Sequence, residues 1–235
     1  CVGPEDVSPP EYFWGYNRMM TIEGLFGAGD AVGGTPHAFS SGSFTEGRLS
    51  AKAACRYIDD GKGEGIVVSD KRINELKEKI YKPMEHYKIY RNEVVAGDVN
   101  PNYINPRQGL DRLQKLMDEY CGGATVSYMT NEKLLSIGLK KLKVMEEDLE
   151  KLAASDFHEL LRAWELMHRH RTAECVTQHT MFRKETRWPG YYYRGDAMKL
   201  DDENWHVLTV SRRDPKTGEY TMEKAPVYHL VKNGE

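Results

Sequence analysis

Asp30 follows the apolar run at residues 25–28 in "GLFGAGDAVGG", and twelve residues later Gly42 opens a stretch of helical composition. An acid at the end of an extended segment can accept hydrogen bonds from the hydroxyls of a sugar-like chain. Glycine, here at Gly29 and Gly42, permits positive φ and lets backbone approach a ligand with no Cβ in the way. A helix start at residues 42–44, with Ser41 before it, offers amide donors and roughly half a positive charge. His37 and Phe39 lie between the acid and the helix. This set suits a ligand that is large and flat or carries negative charge; a plain turn between two elements is the alternative. A second group, Arg183, Lys184 and Arg187, forms a basic cluster beside Glu185; its plain reading is a salt-bridged turn, and surface pairs contribute little. His168 and His170 are two apart and so on different helix faces, and Cys1, Cys55, Cys121 and Cys175 have no metal-ligand spacing. We expect no metal, zinc or iron–sulfur site in this chain, and thiols that are reduced, although a disulfide stays open.

The rest of the chain must position these groups. Its 235 residues are 40% hydrophobic and 29% charged, with a formal net charge of −3. That composition suits a globular protein with a real core and gives no reason to expect nucleic acid as a partner. No apolar run reaches the roughly 18–20 residues of a membrane span, and no signal peptide is visible, so a cytoplasmic setting is expected. The chain opens with Cys inside a loop-like stretch, which reads as a fragment of a longer polypeptide. Residues 19–22 and 25–28 read as short extended pieces, residues 42–60 as a helix, and "GKGEG" at 61–65 as a linker. From 69 to 181 the pattern is helical. Four stripes are expected to pack as a bundle: Ile73, Leu76, Ile80, Met84 and Tyr87, with a kink at Pro83; Leu110, Leu113, Met117 and Tyr120; Leu135, Leu142, Met145, Leu149 and Leu152; and Leu161, Trp164 and Met167. "DPKTGE" then signals a hairpin between residues 205–211 and 220–222.

The order of these residues also resembles a known family. "GLFGAGDAVGG" followed by "HAFSSGS" resembles the second flavin-binding segment of the fumarate reductase/succinate dehydrogenase flavoproteins, G-L-[FY]-A-A-G-E and then H-G-x-N-R-L-G-G-N-S. "RKETR" resembles the E-S-R-G segment of that family, and "DDENW" the stretch soon after it. The resemblance implies an α+β chain: the C-terminal part of a split FAD-binding α/β domain at 1–65, a helical domain at 66–181 and an irregular, β-containing extension at 182–235. It implies that Asp30 binds the ribityl chain of FAD, that Gly42, Ser43 and Phe44 lie beneath the flavin edge, and that Gly29 and Ser41 complete the cofactor site. The dicarboxylate enzymes place an Arg in the N-R-L-G-G run; here "FSSGSF" has none, and Phe39 offers an aromatic face suited to a flat base.

"EYFWGYNRMM", "HAFSSGSFTEGRL", "NPNYINPRQGLDRLQKLMDEYCGG" and "ECVTQHTMFRKETRWPGYYYRGD" together resemble the flavoprotein (alpha) subunits of dissimilatory adenylylsulfate reductases. That resemblance implies two-electron interconversion of adenosine 5′-phosphosulfate with AMP and sulfite at N5 of FAD, fed by [4Fe–4S] clusters in an iron–sulfur beta subunit. It makes His37 and Phe39 substrate-binding candidates and His37 and Arg187 catalytic candidates. A structural His37 and a core Phe39 remain the alternatives. Trp188, Tyr191, Tyr192 and Tyr193 suggest a surface for the beta subunit. A dicarboxylate flavoprotein and a non-catalytic helical interaction module are the competing readings.

Overall fold

The structure, a computed structural model, describes residues 15–20, 22–31, 40–65, 67–93, 100–188 and 190–227, with Asp30 described by its backbone alone. The chain divides into two compact units, Cys1–Asp70 and Lys71–Glu235.

In the first unit the chain reverses on itself: Met19 and Phe26 form an antiparallel bridge, and Met20 N donates to Leu25 O at 2.7 Å. Gly24, at φ +81°, provides the left-handed turn that a side chain would resist. A short 3-10 turn, Gly29–Ala31, follows, and then helix α1, Ser40–Asp59. Tyr16, Met19 and Ala53 form the buried core, with Phe26 and Tyr57 packed against it. The rings of Tyr16 and Tyr57 meet edge to face, with centroids 5.1 Å apart.

The second unit is helical, with short β pieces. Its helices are α2 (Asp70–Tyr90), α3 (Pro106–Tyr120), α4 (Glu132–Leu149) and α5 (Phe157–Phe182). Their starts follow local chemistry. Asn105 and Gln108 form a reciprocal capping box ahead of Pro106, which loses no bonded N–H at the first helical position. Asn131 caps α4 and Asp156 caps α5, each accepting from the amide three residues on. Leu113, Leu116, Leu142, Met145, Leu149, Leu152, Ala163, Leu166 and Ala173 form one core between α3, α4 and α5. Gly109 lets α3 approach α5 closely, since a Cβ there would stand 2.4 Å from Leu166 Cδ2.

Two expectations are corrected here. On α5 the buried side chains are Leu160, Ala163, Leu166, His170, Ala173 and Thr177, whereas Leu161 is exposed. The buried face is therefore rotated by one residue from the Leu161, Trp164 and Met167 stripe. Small and polar residues share that face with Leu160 and Leu166, and the His170 ring Nε2 donates to Leu142 O at 2.8 Å, which satisfies it in the core. On α2, Ile73, Leu76 and Ile80 are exposed. The bundle core closes on α3–α5 and engages α2 through its second half, where Pro83 O accepts from Ala154 N and Ile80 O from Trp164 Nε1.

The two-residue strand β1 (Met129–Thr130), just ahead of α4, pairs in parallel with β2 (Tyr193–Arg194), which lies beyond α5. A single turn of helix, α6 (Asp202–Trp205), leads into β3 (Val207–Arg213) and β4 (Tyr220–Pro226), an antiparallel hairpin. Asp214 makes its turn, accepting from Lys216 N at 2.7 Å and Thr217 N at 2.9 Å.

Candidate functional site

The first unit brings the turn after the extended segment against the start of α1. Gly29 is buried at φ +63°, and a Cβ built there would stand 3.1 Å from Ser43 Oγ. A side chain at Gly29 would thus be strained by its backbone and would push on the helix. The described part of α1 runs from Ser40, two residues before the expected Gly42, and the residues just ahead of it lie outside the described ones. Ser41 is exposed, Gly42 and Ser43 are half-buried, and the Phe44 ring is 82% exposed. The side chain of Asp30 and the whole of His37 and Phe39 lie outside the described residues.

The same face of α1 carries a feature the sequence reading missed. Glu46, one turn beyond Ser43, is buried and paired with Arg18 from the turn just before Met19. Arg18 Nη2 donates to Oε1 at 2.9 Å and Nε donates to Oε2, a two-pronged pairing. Nothing in a separation of 28 residues signals such a pair.

In the second unit, the expected basic group is built around a carboxylate. Glu185 is fully buried, and its Oε1 accepts from Arg183 Nη1 at 2.6 Å and from Arg187 Nε at 2.7 Å. Its Oε2 accepts from Arg187 Nη2 and from Asp201 N, both at 3.0 Å. Arg187 Nη1 lies 2.9 Å from Asp202, in the "DDENW" segment. Burial alone would raise the Glu185 carboxyl; the donors from Arg187, Asp201 and Arg183 outweigh it and hold the group below the usual carboxylate range. The Glu185 hydrogen bond raises the Arg187 guanidinium in turn.

Beside this cluster, the fully buried Arg194 donates through Nη1 to Thr180 O, to Met181 O at 3.1 Å and to Arg183 O at 2.8 Å, which closes the end of α5. It also forks onto Asp196, whose carboxyl is lowered to about 2 chiefly by that hydrogen bond. Of the expected aromatic surface, Trp188 and Tyr191 are exposed, at 66% and 79%. Tyr192 and Tyr193 are half-buried.

The family model for the fumarate reductase flavoprotein C-terminal region matches residues 110–232. The chain belongs to that family of flavoproteins. Within it the chain is similar to the adenylylsulfate reductase alpha subunit of Megalodesulfovibrio gigas, at 43% identity over 219 residues, covering 92% of this chain and 32% of the relative. It is also similar to the solved adenylylsulfate reductase of the hyperthermophile Archaeoglobus fulgidus, at 52% identity and a TM-score of 0.90, covering 98% of this chain and 36% of that one. A structure of adenosine-5-phosphosulfate reductase with sulfite as a covalent adduct matches at 51% identity, with the same TM-score and coverage. An E. coli quinol fumarate reductase shares the fold, at 20% identity and a TM-score of 0.62, over 93% of this chain and 36% of that one. The α+β architecture read from the sequence agrees with these matches. The chain spans about a third of the length of these relatives.

Proposed function

We propose that this chain is part of the flavoprotein subunit of an adenylylsulfate reductase, which interconverts adenosine 5′-phosphosulfate with AMP and sulfite in cytoplasmic sulfur metabolism. The observation that carries this reading is the match over 98% of the chain to a reductase of that kind. On this reading, residues 1–65 belong to the FAD domain, 66–181 form the helical domain and 182–235 the extension.

The residues present fit FAD. The left-handed Gly29 lets the turn approach the start of α1 with Ser43 in contact, which leaves the helix amides and the Asp30 turn on one short surface. Gly29, Asp30, Ser41, Gly42, Ser43 and Phe44 would hold the group, and FAD when bound supplies the two-electron exchange. Amides at the start of α1, with the helix dipole behind them, would favour an electron-rich ligand edge. His37 and Phe39 are the substrate-binding candidates, with Phe39 offering a face to adenine. Glu185 and Asp202 hold the Arg187 guanidinium at three nitrogens, so the geometry supports a held, orienting role for Arg187 more than a mobile catalytic one. The partner is an iron–sulfur beta subunit whose [4Fe–4S] clusters deliver the electrons, and the exposed Trp188 and Tyr191 suit a surface for it.

Purification of the flavoprotein with its partner tests this. We expect yellow flavin absorbance and AMP-dependent oxidation of sulfite by an artificial acceptor. Flavin absorbance with fumarate or succinate turnover instead would reassign the chain to the dicarboxylate enzymes. A colourless preparation would leave only an interaction module.

A further inference from the structure

We propose that Glu46, locked by Arg18, is a positioning residue that fixes the mouth of α1 against the Gly29 turn and so sets how strongly the protein favours reduced over oxidised FAD. The proposal rests on the FAD reading above and extends it to a residue outside the binding segment.

Among the described side chains, α1 buries only Glu46 and Ala53. Ala53 belongs to the apolar core with Tyr16 and Met19, and Tyr57 packs there too, so that core grips the second half of the helix. The first half is held by the carboxylate. Both its oxygens are taken by one guanidinium, a rigid fork that fixes direction as well as distance. Arg18 is itself over-determined. Its backbone sits at φ +66°, a left-handed conformation that an L-residue with a long side chain rarely adopts, and its carbonyl accepts from Gly27 N at 3.0 Å. Gly27 is two residues before Gly29. Arg18 therefore joins the strand that leads into the turn to the helix that faces it, with Ser43 and Glu46 one helical turn apart on that face. The influence of helix amides on a negative group falls away within the first turn. A small displacement of this mouth changes the stabilisation of an electron-rich flavin more than that of a neutral one.

The test uses the purified flavoenzyme and two variants. Arg18→Met with Glu46→Leu removes both charges together, so the local net charge is unchanged while the fork is lost; apolar replacement of a buried pair is often tolerated by the fold. Glu46→Asp keeps the charge and withdraws the carboxylate by one methylene. FAD affinity is read in oxidised protein by flavin fluorescence, and the preference for the reduced form by potentiometry. We expect both variants to bind reduced FAD more weakly by about tenfold beyond any change for oxidised FAD, a potential about 30 mV lower for a two-electron couple. The thermal midpoint of the Met/Leu pair should stay near that of the parent. Affinity lost equally for both redox forms, or unchanged potentials in both variants, overturns the proposal and makes the pair merely structural. A parent enzyme that holds no flavin overturns the FAD reading itself, a result separable from the other two.

Discussion

Replacing Glu185 by Gln should destabilise the second unit far more than the loss of an ordinary surface ion pair. The carboxylate is fully buried and accepts four hydrogen bonds, three from two guanidiniums and one from the Asp201 amide. Glutamine keeps the shape but not the charge. Its carbonyl can serve one side of the cluster; its NH2 group then faces donors on the other side, where nothing accepts. Arg183 and Arg187 are left close together with Asp202 as the remaining counter-charge to Arg187. Arg183 also holds Trp205 O at 2.8 Å and Val207 O at 2.7 Å, so disturbing it loosens the entry to the β3–β4 hairpin. Breaking a buried pair by removing one partner costs about 3–5 kcal/mol, and glutamine's partial replacement places this change near about 3 kcal/mol. For a domain of this size that lowers the thermal midpoint by about 6–12 °C.

The assay is thermal and urea unfolding of the full chain, parent against variant, repeated from neutral to acid pH. The sign of the pH effect follows from the carboxyl being held below its ordinary range. Its contribution is present above the ordinary carboxylate value of about 4.3 and is lost as pH falls through the lower folded value. The parent should therefore lose stability on that acid limb, and the glutamine variant should lose less of it. A neutral-pH difference below about 1 kcal/mol, the range of exposed pairs, would refute the view that this cluster is a buried, interdependent unit.

Two other perturbations test different parts of the molecule. Gly29→Ala meets a left-handed backbone and a 3.1 Å approach to Ser43 Oγ, and a left-handed L-residue costs about 1–2 kcal/mol; FAD affinity of the flavoenzyme should fall about tenfold, measured by fluorescence titration. His179 on α5 bridges Thr209 Oγ1 and Ser211 Oγ, both at 2.9 Å, and burial, then Arg183, lowers its pKa. Its neutral ring therefore stabilises the fold above the ordinary imidazole value of about 6.5, and that stability is lost as pH falls toward the lower folded value; urea midpoints should show the decline in the parent and not in His179→Gln.

What the sequence made legible follows from how local each signal is. Helix starts carry local signals, since Asn105, Asn131 and Asp156 each act on an amide three residues away. The hairpin turn was readable because Asp214 and Gly218 act within their own loop. The bundle stripe of α4 was readable because large apolar residues fill its inner face. On α5 the inner face has Leu160 and Leu166 but otherwise Ala163, His170, Ala173 and Thr177, which a search for large apolar residues passes over. Close approach to α3 and α4 selects small residues there, and that need arises only once the helices are packed. The pair of Arg18 with Glu46 is a long-range contact with no periodicity, invisible to any local rule.

The same distinction decides where an anion can be recognised. Arg183, Lys184 and Arg187 form a basic cluster in the chain, and a turn salt-bridged through Glu185 is the plain reading of it. In space, Arg183 and Arg187 are balanced by Glu185 and Asp202, and Lys184 lies 3.2 Å from Glu132. A sulfate or phosphate oxygen would have to displace a carboxylate from Arg187 to gain its fork, and a buried, multiply bonded carboxylate is a poor group to displace. The start of α1 carries no such competitor among the described side chains nearest to it, since Glu46 is already bound by Arg18 one turn below. Of the two candidate regions, the conspicuous arginines are therefore the poorer site for a negatively charged ligand, because their donors are already taken by carboxylates of the chain itself.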